Sequence, residues 1–169
     1  SVGPPLAGVE AKIVAAEESA LGGGAGRVAI RSTSMMAGYL SPDGIDRSPL
    51  PDGWFLTGDV GRIVDGEIHL LGRESDVINV GGLKVVPSEV EEVIAAFPGV
   101  VECKVYAGGS PRQTPFVKAA VVTLATCDLA HLRTYCSQQL VYYKQPTVFV
   151  QLERLPRSPA GKILKQALP

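Results

Sequence analysis

The stretch of residues 52–91 constrains this chain most, because strand-like apolar runs alternate there with glycine-bearing turns and lead into a helix start. Two apolar runs, 68–71 and 77–80, predict strands. The polar patch 74–76 between them predicts a joint between two structural units. A glycine pair follows the second run, and Pro87 after it is typical of the first turn of a helix.

Residues 1–72 are predicted to form a small antiparallel β subdomain, since short alternating runs are separated by turn residues. The predicted strands are 9–15, 27–31, 54–57, 60–64 and 67–71. Asp65-Gly66 is a strong hairpin signal before the last of them. The glycine run 21–26 predicts a hairpin turn and not a phosphate loop, because it lacks a Gly-Lys-Ser/Thr ending and precedes a strand. We expect a helical turn or irregular segment at 34–40 and a surface loop at 41–52.

Residues 73–169 change to a mixed pattern that predicts a compact α+β domain, with sheet strands covered by two helices. The first predicted helix, 87–97, carries its apolar residues on one face and ends at Pro98-Gly99. The second runs from the capping residue Asp128 to about Gln139. The predicted strands are 100–107, 116–124 and 147–152, and one or two helical turns are expected at 161–168.

Composition limits the function classes. The net charge of −1 and the 6% aromatic content give no support for a nucleic-acid surface. No apolar run approaches the ~20 residues of a membrane span, so we expect a cytoplasmic protein. Cys103, Cys127 and Cys136 lack disulfide or zinc spacing, and we interpret Cys103 and Cys136 as packed core thiols. His69 and His131 have no partner at ligand spacing, so no metal site is predicted.

Two charged residues, Asp59 and Lys162, are candidates for a functional site. Asp59 follows Gly58, where we expect the backbone to turn sharply and leave the carboxylate pointing outward. Lys162 lies at the tip of a loop stiffened by Pro156 and Pro159, which would present its ammonium on a positioned but movable segment. Taken alone, the first is a turn aspartate and the second a solvated surface lysine.

Three motifs give these residues a second interpretation. They are Thr-Gly-Asp at 57–59, the run GRESDVINVGGLKVVPSEVE at 72–91 and LPRSPAGKIL at 155–164. In order and spacing they resemble the adenylate-forming enzymes, which include acyl-CoA ligases, amino-acid adenylation domains and luciferases. INVGG followed by KVVPSEVE is most similar to the acyl-CoA ligases.

The resemblance implies roles in activating a carboxylic acid with ATP. Lys162 matches the lysine that bridges the substrate carboxylate and the α-phosphate, where a compact cation stabilises developing charge. Asp59 matches the aspartate that accepts hydrogen bonds from the ribose hydroxyls of ATP or AMP. Arg73 matches the arginine that helps to hold the same sugar.

The resemblance also implies a hinge and a thiol site. Ser75 occupies the hinge position, where Asp or Lys is commoner, and Asp76 beside it could supply the missing carboxylate. Gly81 and Gly82 match backbone that lines the pantetheine tunnel, and Lys84 matches a position near the phosphates of the thiol carrier. A tight turn ahead of a helix is an equal alternative for the glycine pair.

The family's phosphate loop is not found in this sequence, so we expect the chain to be the C-terminal portion of a longer enzyme. The resemblance implies that a missing AMP-binding body holds the acyl pocket and the ligands of Mg²⁺. The implied reaction transfers an acyl group from AMP to coenzyme A. Two alternatives stay open: an amino-acid or aryl-acid adenylation domain that loads the phosphopantetheine arm of a carrier protein, and a stand-alone interaction module without enzymatic activity.

Overall fold

The computed structural model describes residues 1–14, 24–48, 50–110 and 113–169. The chain divides into two compact units, Ser1–Ser75 and Asp76–Pro169. The division therefore falls after Ser75, within the polar patch, whereas the sequence pattern placed it after Gly72. The predicted α+β class is confirmed, with antiparallel strands throughout the first unit and mixed strands and helices in the second.

The described part of the first unit is built from antiparallel strands. They are β1 Val9–Val14, β2 Gly26–Ser32, β3 Tyr39–Ser41, β4 Gly44–Asp46, β5 Phe55–Val64 and β6 Glu67–Arg73. Four of them form one sheet in the order β1-β2-β5-β6. The pairing of β1 with β2 is antiparallel, as the hairpin prediction requires, although residues 15–23, with most of the predicted turn, lie outside the described residues.

Two predictions in this unit are wrong. The runs 54–57 and 60–64 belong to one continuous strand, β5, and the backbone makes no sharp turn at Gly58-Asp59. Pairing with β2 on one side and β6 on the other keeps this stretch extended. The small hairpin β3–β4 starts at Tyr39, within the segment predicted to be a helical turn or irregular, and continues into the predicted surface loop. A single 3-10 turn follows at Pro51–Gly53. In contrast, the Asp65-Gly66 hairpin between β5 and β6 is confirmed.

The second unit combines a three-stranded sheet, a two-stranded hairpin and two helices. Its elements are β7 Ile78–Val80, β8 Leu83–Val85, α1 Pro87–Ala95, β9 Val100–Gly108, β10 Phe116–Thr123, α2 Leu129–Gln139 and β11 Val148–Gln151. The sheet order is β11-β10-β9, with β10 antiparallel to β9 and parallel to β11. The helical turns predicted for 161–168 shrink to one 3-10 turn, Lys165–Ala167.

The core of this unit follows from the apolar face of α1. Val90 and Ile94 are fully buried, and the core also contains Val105 of β9 and Leu132 of α2. Asp128 caps α2 as predicted, because its Oδ1 accepts a hydrogen bond from the Ala130 amide at 2.7 Å. Within the described residues, no helix is long and apolar enough to cross a membrane.

Two cysteines of the second unit, Cys103 and Cys136, lie against its core. Cys136 is 1% exposed, as predicted, and Cys103 is only partly buried. Burial raises the pKa of each thiol to about 11. Since the thiolate is the nucleophile, we expect alkylation of both at about pH 8 to be at least roughly tenfold slower in the native protein than in denaturing urea. Mass spectrometry of the alkylated peptides measures this, and equal rates in the two states would contradict it.

Candidate functional site

Asp59 is positioned by a bulge in the sheet. Arg27 of β2 pairs with Val60 and Ala29 pairs with Leu56, so the segment 57–59 faces the single residue between them. Thr57 closes the bulge: its hydroxyl donates to the Val28 carbonyl at 2.7 Å and accepts from the Asp59 amide at 3.1 Å. A bulge re-aims a side chain at the edge of a ladder. The threonine and the glycine of the motif therefore hold the aspartate in place without a reverse turn.

Arg73 lies directly opposite Asp59 on β6. The two residues are register partners, and Arg73 Nε lies 3.0 Å from Asp59 Oδ1. The aspartate side chain is 28% exposed and the arginine side chain 65% exposed. An ionised carboxylate only accepts hydrogen bonds, whereas a guanidinium only donates them. The pair can therefore bind a neutral group that both donates and accepts, such as the two neighbouring hydroxyls of a sugar.

The polar patch 74–76 forms a short 3-10 turn where the two units meet in sequence. Glu74 pairs with Arg27 in the first unit, with 3.2 Å between Oε2 and Nε. Asp76 pairs with Lys165 in the second unit. Ser75 lies between these two anchored carboxylates and takes part in neither pair. The predicted hinge residues thus stand at the division between the units.

Gly81 and Gly82 form the turn of the β7–β8 hairpin, with φ angles of 60° and 94°. Both angles are left-handed, which glycine adopts without cost. The Asn79 side chain accepts a hydrogen bond from the Gly82 amide at 2.8 Å. No atom lies within 4 Å of where a Cβ on either glycine would stand. The pair therefore makes a tight turn, and its outer surface is open to a ligand.

Lys84 follows this turn on β8, where it pairs across the hairpin with Asn79. Its side chain is partly buried, whereas both glycines of the turn are exposed. One small hairpin thus carries all three residues that the resemblance assigns to the thiol site.

Lys162 is held in a closed loop of the second unit. Arg157 and Ile163 form an antiparallel bridge, and the Leu164 amide donates to the Pro156 carbonyl at 2.8 Å. Inside that bridge, the Ser158 amide donates to the Lys162 carbonyl at 2.8 Å. The Lys162 amide lies 3.2 Å from the Ser158 hydroxyl. Lys162 is exposed, so a backbone closed by hydrogen bonds presents its ammonium to solvent.

Possible metal ligands within the part of the chain that the structure describes include the two histidines and the acidic residues. The described residues contain no group of three or more His, Cys, Asp or Glu side chains able to hold an ion. His131 instead pairs with the helix cap Asp128, with 3.2 Å between Nδ1 and Oδ2.

Comparison with known proteins identifies the family to which the chain is related. Residues 89–162 match the family described as the AMP-binding enzyme C-terminal domain. The chain is 35% identical over 173 residues to the sulfoacetate–CoA ligase of Cupriavidus necator, an alignment that covers 99% of this chain and 34% of that enzyme. The chain belongs to the adenylate-forming, AMP-binding enzyme superfamily. The resemblance stated above is confirmed.

Similarity to solved structures supports the same family assignment. The ATP-bound MatB of Rhodopseudomonas palustris matches 97% of this chain and 34% of its own length, with a TM-score of 0.83 and 34% identity. The O-succinylbenzoate coenzyme A synthetase of Bacillus subtilis, in complex with AMP, matches 99% of this chain and 35% of its own, with a TM-score of 0.79 and 30% identity. The chain spans about a third of the length of these relatives.

Sequence reasoning missed three contacts around the candidate site. Thr57 closes the bulge behind Asp59, Lys165 pairs with the hinge residue Asp76, and Arg157 contacts the carbonyl of Gly161. The motif spacing could have directed attention to Thr57, which stands two residues before Asp59. The contact of Arg157 with Gly161 also lies within one motif, four residues apart, but a loop without regular structure has no period that predicts it. The pair Asp76–Lys165 joins segments far apart in sequence, so no local pattern predicts it.

Proposed function

We propose that this chain is the C-terminal part of an ATP-dependent acid–CoA ligase. The observation that carries the proposal is the presentation of Lys162: an exposed ammonium on a loop closed by backbone hydrogen bonds. Identity to several CoA ligases over nearly the whole chain supports it. In the first step, a carboxylate oxygen attacks the α-phosphorus of ATP and pyrophosphate leaves. In the second, a thiol attacks the acyl carbon and AMP leaves.

Each unit supplies part of the first step. Asp59 accepts hydrogen bonds from the ribose hydroxyls, and Arg73, 3.0 Å away, fixes the carboxylate and donates to the same sugar. Lys162 places its charge between the substrate carboxylate and the α-phosphate. A preorganised cation at that point stabilises the charge that develops in the transition state.

The second step uses the β7–β8 hairpin of the second unit. The open turn at Gly81-Gly82 forms one wall of the channel for the pantetheine thiol, because side chains are absent there. Lys84 of the same hairpin lies toward the phosphates of the carrier. Rotation about Ser75 and Asp76 exchanges the Lys162 loop for this turn between the two steps.

The rest of the reaction requires an N-terminal AMP-binding body, since the chain covers only about a third of its relatives. That body would supply the phosphate loop, the acyl pocket and the ligands of Mg²⁺. The partners of the whole enzyme are then a carboxylic acid, ATP and coenzyme A. A cytoplasmic location stays a prediction from composition.

The isolated chain is expected to show no ATP–pyrophosphate exchange with any carboxylic acid, because the phosphate-binding elements would be absent. The full-length enzyme, assayed beside it, should show acid-dependent exchange and then acyl-CoA formation. Robust exchange by the isolated chain would contradict the division of labour. Transfer to a phosphopantetheine carrier protein, with none to coenzyme A, would replace the ligase by a carrier-loading adenylation domain.

A further inference from the structure

Arg157 joins the Lys162 loop to the central sheet of its unit. Its Nη1 donates to the Gly161 carbonyl at 2.8 Å, and Gly161 is the residue directly before Lys162. Its Nη2 donates to Oε1 of Glu102, a residue of β9. The guanidinium therefore spans the gap between the peptide that precedes the lysine and the strand that borders the core.

The loop needs such an external support. Gly161 has a φ angle of 80°, so the chain reverses sharply just before Lys162. The backbone hydrogen bonds that close the loop fix its own shape, because they all run between residues 156 and 164. They do not fix where the loop stands on the domain. The buried Leu155 and the Lys165–Asp76 pair hold the two ends of the loop. Arg157 holds the loop itself through Glu102, which lies 55 positions earlier in the sequence.

An arginine suits this position better than a lysine. Its guanidinium is planar and presents its donors in a rigid fork, so the two contacts constrain each other's direction. Both Arg157 and Glu102 side chains are about two-fifths exposed. Exposed ion pairs contribute little to folding stability. The consequence of this contact is therefore expected in the placement of the loop.

We propose that Arg157 is a positioning residue for acyl-adenylate formation, which acts by holding the Gly161–Lys162 peptide against Glu102. The inference rests on the proposed function, in that Lys162 must act in that step. Positioning matters because a displacement of about 1 Å of a reacting group can cost roughly 10²-fold in rate. Arg157 itself touches no reacting atom in this proposal.

The test compares both half-reactions in the full-length enzyme. Arg157→Gln is expected to slow acyl-adenylate formation between about tenfold and 10²-fold, mainly through kcat. Thioester formation from synthetic acyl-adenylate should stay within about twofold of the parent, since the loop has then left the active site. A purely structural defect would lower both steps together, and that result would overturn the proposal.

Glu102→Gln gives an independent variant that keeps Arg157 in place. It should also slow adenylate formation, and it should add little in the Arg157→Gln background, because both variants lose the charged contact between residues 157 and 102. Additive losses would overturn the proposal. If Arg157→Gln fails to fold, Glu102→Gln still decides, since normal adenylate formation in that variant also overturns it.

The matched control is Arg31→Gln, which breaks an exposed arginine–glutamate pair in the other unit. Arg31 contacts both carboxylate oxygens of Glu10, at 2.7 and 3.0 Å. Its loss should leave both half-reactions unchanged. The variant Lys162→Ala distinguishes failure of the positioning role of Arg157 from failure of the proposed catalytic role of Lys162. A slow Lys162→Ala with a normal Arg157→Gln refutes only the positioning role, whereas normal rates in both refute the catalytic role of Lys162 and the inference with it.

Discussion

Replacing Lys162 by alanine in the full-length enzyme is expected to slow acyl-adenylate formation about 10²-fold or more, on the order of 3 kcal/mol. The ammonium is solvent-exposed on a loop whose backbone is closed by its own hydrogen bonds, so the free energy of unfolding should hardly change. Thioester formation from synthetic acyl-adenylate should survive. Rapid-quench measurement of each half-reaction in one mutant tests both the role and the rotation.

The control for Lys162 is another exposed lysine. Lys12 lies on β1 with its Nζ 4.1 Å from the centre of the Trp54 ring, and Lys12→Ala should leave both steps intact. A Lys162→Ala enzyme that forms adenylate at the normal rate would remove this residue from the catalytic machinery. Equal loss in both half-reactions would argue against alternating poses.

Leucine at Gly82 is expected to impair the other half-reaction. Nothing surrounds the position of a Cβ there, so the side chain would project into the space that we assign to the pantetheine thiol. We expect thioester formation from preformed acyl-adenylate to fall about tenfold to 10²-fold, and adenylate formation to change little. Stopped assays with acyl-adenylate and coenzyme A measure the effect.

The left-handed backbone at Gly82 complicates this variant, because a leucine there also strains the turn by about 1–2 kcal/mol. Gly66→Leu is the matched control. Gly66 has a φ angle of 81°, lies in the β5–β6 hairpin turn and likewise has open space around it. Both variants should lose similar stability in urea unfolding. If Gly66→Leu impairs thioester formation as strongly as Gly82→Leu, the effect is strain and the tunnel assignment fails.

Several elements of this fold could be predicted from residues that are close together in the sequence. Asp65-Gly66 predicts its hairpin because both residues tolerate positive φ, and they do adopt it, at 51° and 81°. The helix after Pro87 was predicted from a period that places Val90 and Ile94 on one face, and both are fully buried. In each case the signal lies within a few residues and agrees with the tertiary packing.

The failures arise where distant segments decide. Gly58 is a typical turn residue, but strands on both sides of β5 hold it extended and convert the predicted turn into a bulge. The contact of Arg157 with Glu102 joins a loop to a strand 55 positions away. No periodicity reports such a pairing, because it depends on how β9 packs in the finished domain. The sequence motifs identified the candidate site residues, whereas their contacts with distant residues became visible only in the structure.

The two ion pairs that flank Ser75 have a mechanical consequence. Glu74 pairs with Arg27 and Asp76 pairs with Lys165, each within its own unit. These pairs restrain the backbone on both sides of Ser75, so rotation is freest between residues 74 and 76. For the proposed rotation, torsion would be concentrated in the few backbone bonds around one serine, so the joint would behave as a swivel and not as a tether. Such a short pivot would allow the second unit fewer orientations during the proposed rotation than a long flexible linker would.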